Sequence, residues 1–401
     1  MTGTGFTGAT AVRFGTTAAA SFIVTSSTQI TAVTPPGTGA VNVTVTTSQG
    51  TSTQTVTYTY AAVPSITSVA PTQGPTAGGT TVTLTGTNLT GATAVRFDAT
   101  AATSFTVNSA TQITAVAPAH AAGAAAVTVT TPGGTSNAQT YTYAAVPSIT
   151  SVAPTQGPTA GGTTVTLTGT SLTGATAVSF DATAATSFTV NSPTQITAVT
   201  PAHAAGAAAV TVTTPGGTSN PDNPVAYFFY ATAPSATNIA PSSGTVAGGT
   251  TVILTGSGFT NATAVRFDAT AATSFTVNSP SQITAVTPAH AAGAAAVTVT
   301  TPGGTSNALD YFYLAAPTLT SLTPSQGPAS GGSVIALTGT NLTTTTSVLF
   351  GGTPAAFTVL SPTQVTALPP AGAAGAVTVT VATAAGVSNG LTYTRIAAPA
   401  I

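Results

Sequence analysis

The segment Val63-Pro64-Ser65-Ile66-Thr67-Ser68-Val69-Ala70-Pro71 returns almost unchanged from Val146 to Pro154, and in altered form from Ala233 to Pro241 and from Ala316 to Pro324. The prolines that mark it, Pro64, Pro147, Pro234, Pro317 and Pro399, stand 83, 87, 83 and 82 residues apart. A solenoid repeats every roughly 20 to 50 residues, whereas this period is the size of a small independent domain. The 401-residue chain is therefore expected to divide into repeats at 64–146, 147–233, 234–316 and 317–398. An incomplete repeat occupies 1–63, and a fresh start occupies 399–401.

Within each repeat, apolar and polar residues alternate, as in Thr81-Val82-Thr83-Leu84-Thr85, Val127-Thr128-Val129-Thr130 and Tyr141-Thr142-Tyr143. A period of two puts Val, Leu and Tyr on one face of a strand and Thr on the other, which predicts half-buried antiparallel strands. Turn signals at Gly78-Gly79, Gly91, Pro118, Gly123 and Pro132-Gly133-Gly134 separate the strands at the short intervals of a sandwich. No segment carries a helical stripe. The Ala-rich stretch from Ala119 to Ala126, with Pro118 before it and Gly123 inside it, is expected to be a loop.

These residues resemble the IPT/TIG domains, an immunoglobulin-like family. The resemblance is carried by Pro64-Ser-Ile-Thr-Ser-Val-Ala-Pro71, Gly78-Gly79-Thr80-Thr-Val-Thr-Leu-Thr-Gly86, Asn88-Leu89, Val95-Arg-Phe97, Ile113-Thr-Ala-Val, Val127-Thr-Val129 and Tyr141-Thr-Tyr143. It covers nearly the whole chain and implies a fold class that is all-β, a tandem array of immunoglobulin-like antiparallel β-sandwich domains. It implies no single function, because such folds host many.

Charge is almost absent: four Arg, five Asp, no Lys and no Glu, with a net charge of −1. Without a basic patch there is nothing to neutralise several phosphates, so nucleic acid is excluded as a partner. No apolar run is long enough to predict a membrane span. The absence of Cys rules out disulfide staples and thiolate metal sites but does not fix a compartment. A near-neutral, Thr-coated surface favours association between copies. Met1-Thr2-Gly3-Thr4-Gly5 has neither the basic nor the apolar region of a secretion leader, so either a leader has been removed or the chain is part of a longer product.

Aligning the first repeat on the second places Met1 at the position of Leu84, so the equivalent of Thr67 through Thr83 is missing. Pro399-Ala400-Ile401 restarts the motif Pro64-Ser65-Ile66. Either the chain is a stretch of a longer repetitive polypeptide, or copies join head to tail by strand donation. The second alternative makes Met1, Pro399, Ala400 and Ile401 candidate subunit contacts.

Isolated polar residues offer little chemistry. His120, His203 and His290 each fall within Pro-Ala-His-Ala-Ala-Gly, with no second His or carboxylate beside them, and are expected to be solvated loop residues rather than metal ligands. Arg96 and Arg266 lie two residues before Asp98 and Asp268 on one strand face; such an exposed pair contributes roughly 0 to 1 kcal/mol. Ser179 stands in place of Arg ahead of Asp181, so the pair is dispensable. Asp222, in Pro221-Asp222-Asn223-Pro224, reads as a turn residue. No nucleophile, base and orienting group can be assembled, so the chain is expected to be no enzyme and to need no cofactor. Asn42, Asn88, Asn261 and Asn341 begin glycosylation sequons, a pattern that also arises by chance in so Thr-rich a chain.

One local departure stands out. The final strand reads Tyr141-Thr142-Tyr143 in the second repeat, but Tyr227-Phe228-Phe229-Tyr230 in the third and Tyr311-Phe312-Tyr313 in the fourth. Phe229 and Phe312 thus occupy an outward position, as a candidate subunit contact, a packing contact with the adjoining domain, a sugar-stacking platform or an incidentally exposed ring. Short Ala/Val/Pro linkers such as Ala61-Ala62-Val63-Pro64 predict stiff joints. The expected function is a structural subunit of an extracellular filament, sheath or appendage, with copies of itself as partner. The alternatives are the repeat stalk of a cell-surface adhesin, with a host or cell-surface ligand, and a glycan-binding or spacer array of a secreted enzyme.

Overall fold

The computed structural model describes residues 1–399. Contacts divide the chain into two compact units, one formed by 1–152, 166–198 and 209–226, the other by 153–165, 199–208 and the chain from Tyr227 onward. The division runs through the third repeat, so the repeating fold is plainest in the second and fourth, each of which lies within one unit.

The second repeat is a sandwich of two sheets. One has four antiparallel strands in the order Ser104–Ser109, Gln112–Val116, Thr81–Thr87, Ser65–Ala70. The other runs Thr100–Ala101, Ala94–Phe97, Gly123–Thr131, Gln139–Ala144 and Gln73–Pro75, with Gly134–Thr135 folded back on Gly123–Thr131. Gln73–Pro75 pairs in parallel with Gln139–Ala144, so the opening segment of the repeat contributes to both sheets. The fourth repeat has the same strand order and the same register, with Leu254 opposite Ile283 where Leu84 faces Ile113.

Alternation settles which side chains go inside: Val82 and Leu84 are buried while Thr81 and Thr85 are exposed. Val127, Val129 and Phe97 pack from the facing sheet with Tyr141 and Tyr143. The three rings meet edge to face, Phe97 and Tyr141 with centroids 5.4 Å apart and Tyr141 and Tyr143 5.0 Å apart, an arrangement that aromatic quadrupoles favour. Gly74 is required by close approach, because a Cβ there would collide with the Tyr141 hydroxyl.

The Ala-rich stretch departs from its expected loop. Only 119–122 lies outside a strand; Gly123–Thr131 is continuous sheet, pairing Ala124, Ala125 and Ala126 with Thr142, Tyr141 and Thr140. A methyl at Ala125, buried opposite Tyr141, leaves room for the large ring, so small side chains here serve the sheet.

The fifth repeat joins its two sheets into one path because Thr353–Ser361 pairs with both Thr345–Phe350 and Gln364–Leu368. The first repeat is open. Its second sheet has only Ser21–Ser26 and Gln29–Val33, extended by an isolated bridge between Thr2 and Gln29. Tyr58, the counterpart of fully buried Tyr141, is 39% exposed.

Candidate functional site

A cluster of polar side chains in the second repeat is built by two loops. Asp98 follows the strand Ala94–Phe97 in left-handed conformation, φ 50°, which an Asp tolerates better than most residues. Its Oδ1 accepts a hydrogen bond of 2.8 Å from the amide of Ala126, and its own amide donates to the Ala126 carbonyl at 2.8 Å. Asp98 Oδ2 lies 3.3 Å from His120 Nε2. The imidazole stacks on Tyr143 with centroids 4.7 Å apart, and Nδ1 lies 2.9 Å from the Ala121 carbonyl. Both ring nitrogens thus lie within reach of oxygen atoms, one on the Asp98 carboxylate and one on the Ala121 carbonyl.

The fourth repeat rebuilds this cluster with Asp268, His290 and Tyr313, the carboxylate–imidazole contact at 3.2 Å and the stack at 4.8 Å. In the third repeat His203 stacks on Tyr230 at 4.8 Å, and Asp181 Oδ1 accepts from the Ala209 amide at 2.8 Å.

Two expectations are corrected here. The histidines are packed loop anchors rather than solvated side chains, because the chain returns each to a tyrosine ring and, in the second and fourth repeats, to a carboxylate. Nor do Arg96 and Asp98 form a pair: Arg96 Nη1 donates to the Ala99 carbonyl at 2.8 Å, as Arg266 does to Ala269, since the left-handed turn aims the carboxylate at the His loop. A signal for the His–Asp partnership lay in the sequence. Asp and His occur together in the middle repeats, whereas the first and fifth have Gly15 and Gly351 at the Asp position and no His at all. In the fifth, Arg395 replaces the tyrosine and donates to the Pro370 carbonyl at 3.0 Å.

The cluster holds no nucleophile, and no group of three potential metal ligands occurs among the described residues. Its chemistry is that of a fastener. Asp222 lies in a turn, its amide donating to Asn220 Oδ1 at 3.0 Å. The sequon residues Asn88 and Asn341 are also engaged: their side-chain amides donate to the carbonyls of Val63 at 3.1 Å and Ala316 at 3.0 Å, pinning the linker ahead of each repeat.

Among the predicted contact residues, Phe229 and Phe312 are 50% and 48% exposed between buried neighbours. Met1 lines a cavity of about 640 Å³ in the open first repeat, with Gly3, Phe6, Val43, Val45 and Val56 among its walls. Its amino group donates to the Ile30 carbonyl at 2.8 Å. Pro399 borders a separate hollow with Gly327, Pro328 and Ile396, whereas Ala400 and Ile401 lie outside the described residues. No helix among the described residues is long and apolar enough to cross a membrane.

The family model of the IPT/TIG domain matches residues 1–60, 64–143, 147–227, 234–313 and 317–394. No curated protein matches the chain. Among solved structures, the full extracellular region of plexin A4 is 16% identical with a TM-score of 0.32, over 92% of this chain and 44% of that one. Invasin, a bacterial integrin-binding protein, is 15% identical with a TM-score of 0.27, over 83% and 79%. SGBP-B from a complex xyloglucan utilization locus in Bacteroides uniformis is 23% identical with a TM-score of 0.22, over 49% and 57%. The chain spans less than half the length of the plexin structures it matches.

Proposed function

The chain belongs to the IPT/TIG domain family, and from that we propose that it is a non-enzymatic structural subunit of an extracellular filament or appendage. The observation that carries this reading is the repetition of one sandwich without change of register: the second and fourth repeats keep the same strand pairing, the same left-handed Asp and the same aromatic core. Copying a closed domain extends a molecule and adds no new chemistry. Outward Thr faces and a net charge of −1 leave little repulsion between copies.

The open first repeat offers a place for a homotypic contact. In the second repeat the corresponding region is closed by Ser65–Ala70, whose Ile66 and Val69 are buried in the core. We read the groove beside Val45 and Val56 as the seat for such an extended segment, a form of β-augmentation when a second copy supplies it. Electron microscopy of native material tests the proposal. Regular polymers are the expected result, and dispersed single particles at high concentration would overturn it. Single molecules tethered to a cell surface would instead favour the stalk of an adhesin.

A further inference from the structure

We propose that Phe229, with Gln156 and Asn261, forms a binding site for an uncharged polysaccharide. In the final strand of the second to fifth repeats the inward aromatic is retained as Tyr141, Phe228, Tyr311 and Tyr393, all fully buried. The outward neighbour changes: Thr142 and Thr394 in the second and fifth repeats, Phe229 and Phe312 in the third and fourth. Packing inside the repeat does not require a ring at this position, because Thr142 and Thr394 occupy it in strands of the same kind. A half-exposed phenyl ring here therefore invites a reading other than core packing.

Its surroundings supply one. Phe229 sits in register with Gln156 of the parallel neighbouring strand Gln156–Pro158, which puts the two side chains side by side on one face of the sheet. Gln156 Oε1 accepts a hydrogen bond of 3.4 Å from Asn261 Nδ2, an amide brought in by the fourth repeat. Asn261 is held in left-handed conformation, φ 59°. The pairing leaves Gln156 Nε2 as donor and Asn261 Oδ1 as acceptor. Tyr227, two residues before Phe229 on the same strand face, adds a second ring with a hydroxyl. An aromatic platform edged by carboxamides matches the two faces of a pyranose, C–H groups for stacking and hydroxyls for hydrogen bonding. None of these four side chains is charged, which complements a neutral polymer and gives an acidic one nothing to pair with. Phe312 presents a similar ring beside Ser243 but with Asp310 on its strand face, and is the weaker counterpart.

Affinity electrophoresis of the whole chain in native gels containing hydroxyethyl cellulose, galactomannan, soluble starch or alginate tests the site. Retardation by at least one neutral polymer and none by alginate is expected. Phe229→Thr should raise the dissociation constant at least about tenfold, and Gln156→Ala severalfold, while thermal unfolding stays where it was. Absence of retardation in all three neutral gels, or equal retardation of the Phe229→Thr chain, overturns the proposal. So does sedimentation showing that the wild-type chain associates and that Phe229→Thr disperses it, because the ring would then be a contact between copies.

Discussion

Asp98 and His120, carried on different loops of the second repeat, meet at 3.3 Å with the imidazole lying flat on Tyr143. The contact ties the turn after Phe97 to the loop after Pro118. Asp98 is 44% exposed and His120 21%, so water screens the pair and its coupling should be no more than about 1 kcal/mol. A double-mutant cycle of Asp98→Asn and His120→Ala, read by urea denaturation, measures it. Asp98→Val should cost more, roughly 1–2 kcal/mol, because a β-branched residue resists the left-handed turn. Asp98→Gly should be milder, since Gly15 and Gly351 serve at the same position in the first and fifth repeats.

Gly133 lies against the linker that enters its own repeat, and a Cβ there would strike the Ala62 carbonyl; Gly216 and Gly303 meet Ala145 and Thr232 in the same way. Gly133→Ala must displace the linker, an overpacking cost of about 1–3 kcal/mol. Faster hydrogen exchange at the amides of Val63 and Ser65 would report the loosened joint. The fifth repeat carries buried Ala385 at this place, its amide donating to Thr383 Oγ1 as that of Gly133 does to Thr131, so Ala385→Gly should leave its joint nearly unchanged.

Phe228 and Phe229 are adjacent in sequence and opposite in fate, one fully buried and the other half exposed. Truncating the buried ring, Phe228→Ala, should cost about 3–5 kcal/mol. Phe229→Thr should stay within about 0.5 kcal/mol. The midpoints of chemical denaturation will separate the two.

Burial pushes the Tyr143 hydroxyl up to about 12, with nearby Tyr141 and then Asp98 adding to the effect; Tyr313 rises to about 12 for the same leading reason. Each folded value exceeds the ordinary tyrosine value of 10.0. The stability these hydroxyls contribute is therefore complete below pH 10 and is lost as pH climbs toward 12, where unfolding releases protons that the folded state retains. Thermal midpoints should be level up to about pH 10 and fall above it. The doubly substituted chain, Tyr143→Phe with Tyr313→Phe, should show a shallower fall.

Much of the architecture was legible in the sequence because its causes are local. Thr81-Val82-Thr83-Leu84-Thr85 already states which side chains face inward, since successive residues of a strand point to opposite faces whatever its partner. A spacing of 83 residues between Pro64 and Pro147 sets the unit, and the outward placement of Phe229 and Phe312 follows from the same alternation. Local pattern misled at Ala124–Ala126, where small residues suggest a loop until the opposing Tyr141 is in view.

The candidate sites belong to the tertiary structure. His120 has no carboxylate beside it in sequence and acquires Asp98 only when two loops are brought together by the packed sheets. Gly133 is one of many turn glycines until the Ala62 carbonyl rests on it, and Gln156 meets Asn261 only where the fourth repeat reaches the third. Alternation along a strand is a property of one segment and is written in its residues. Which loops meet depends on how whole sheets stack, and that is settled by the fold, with the sequence offering at most the joint appearance of Asp and His in the middle repeats as a trace of it.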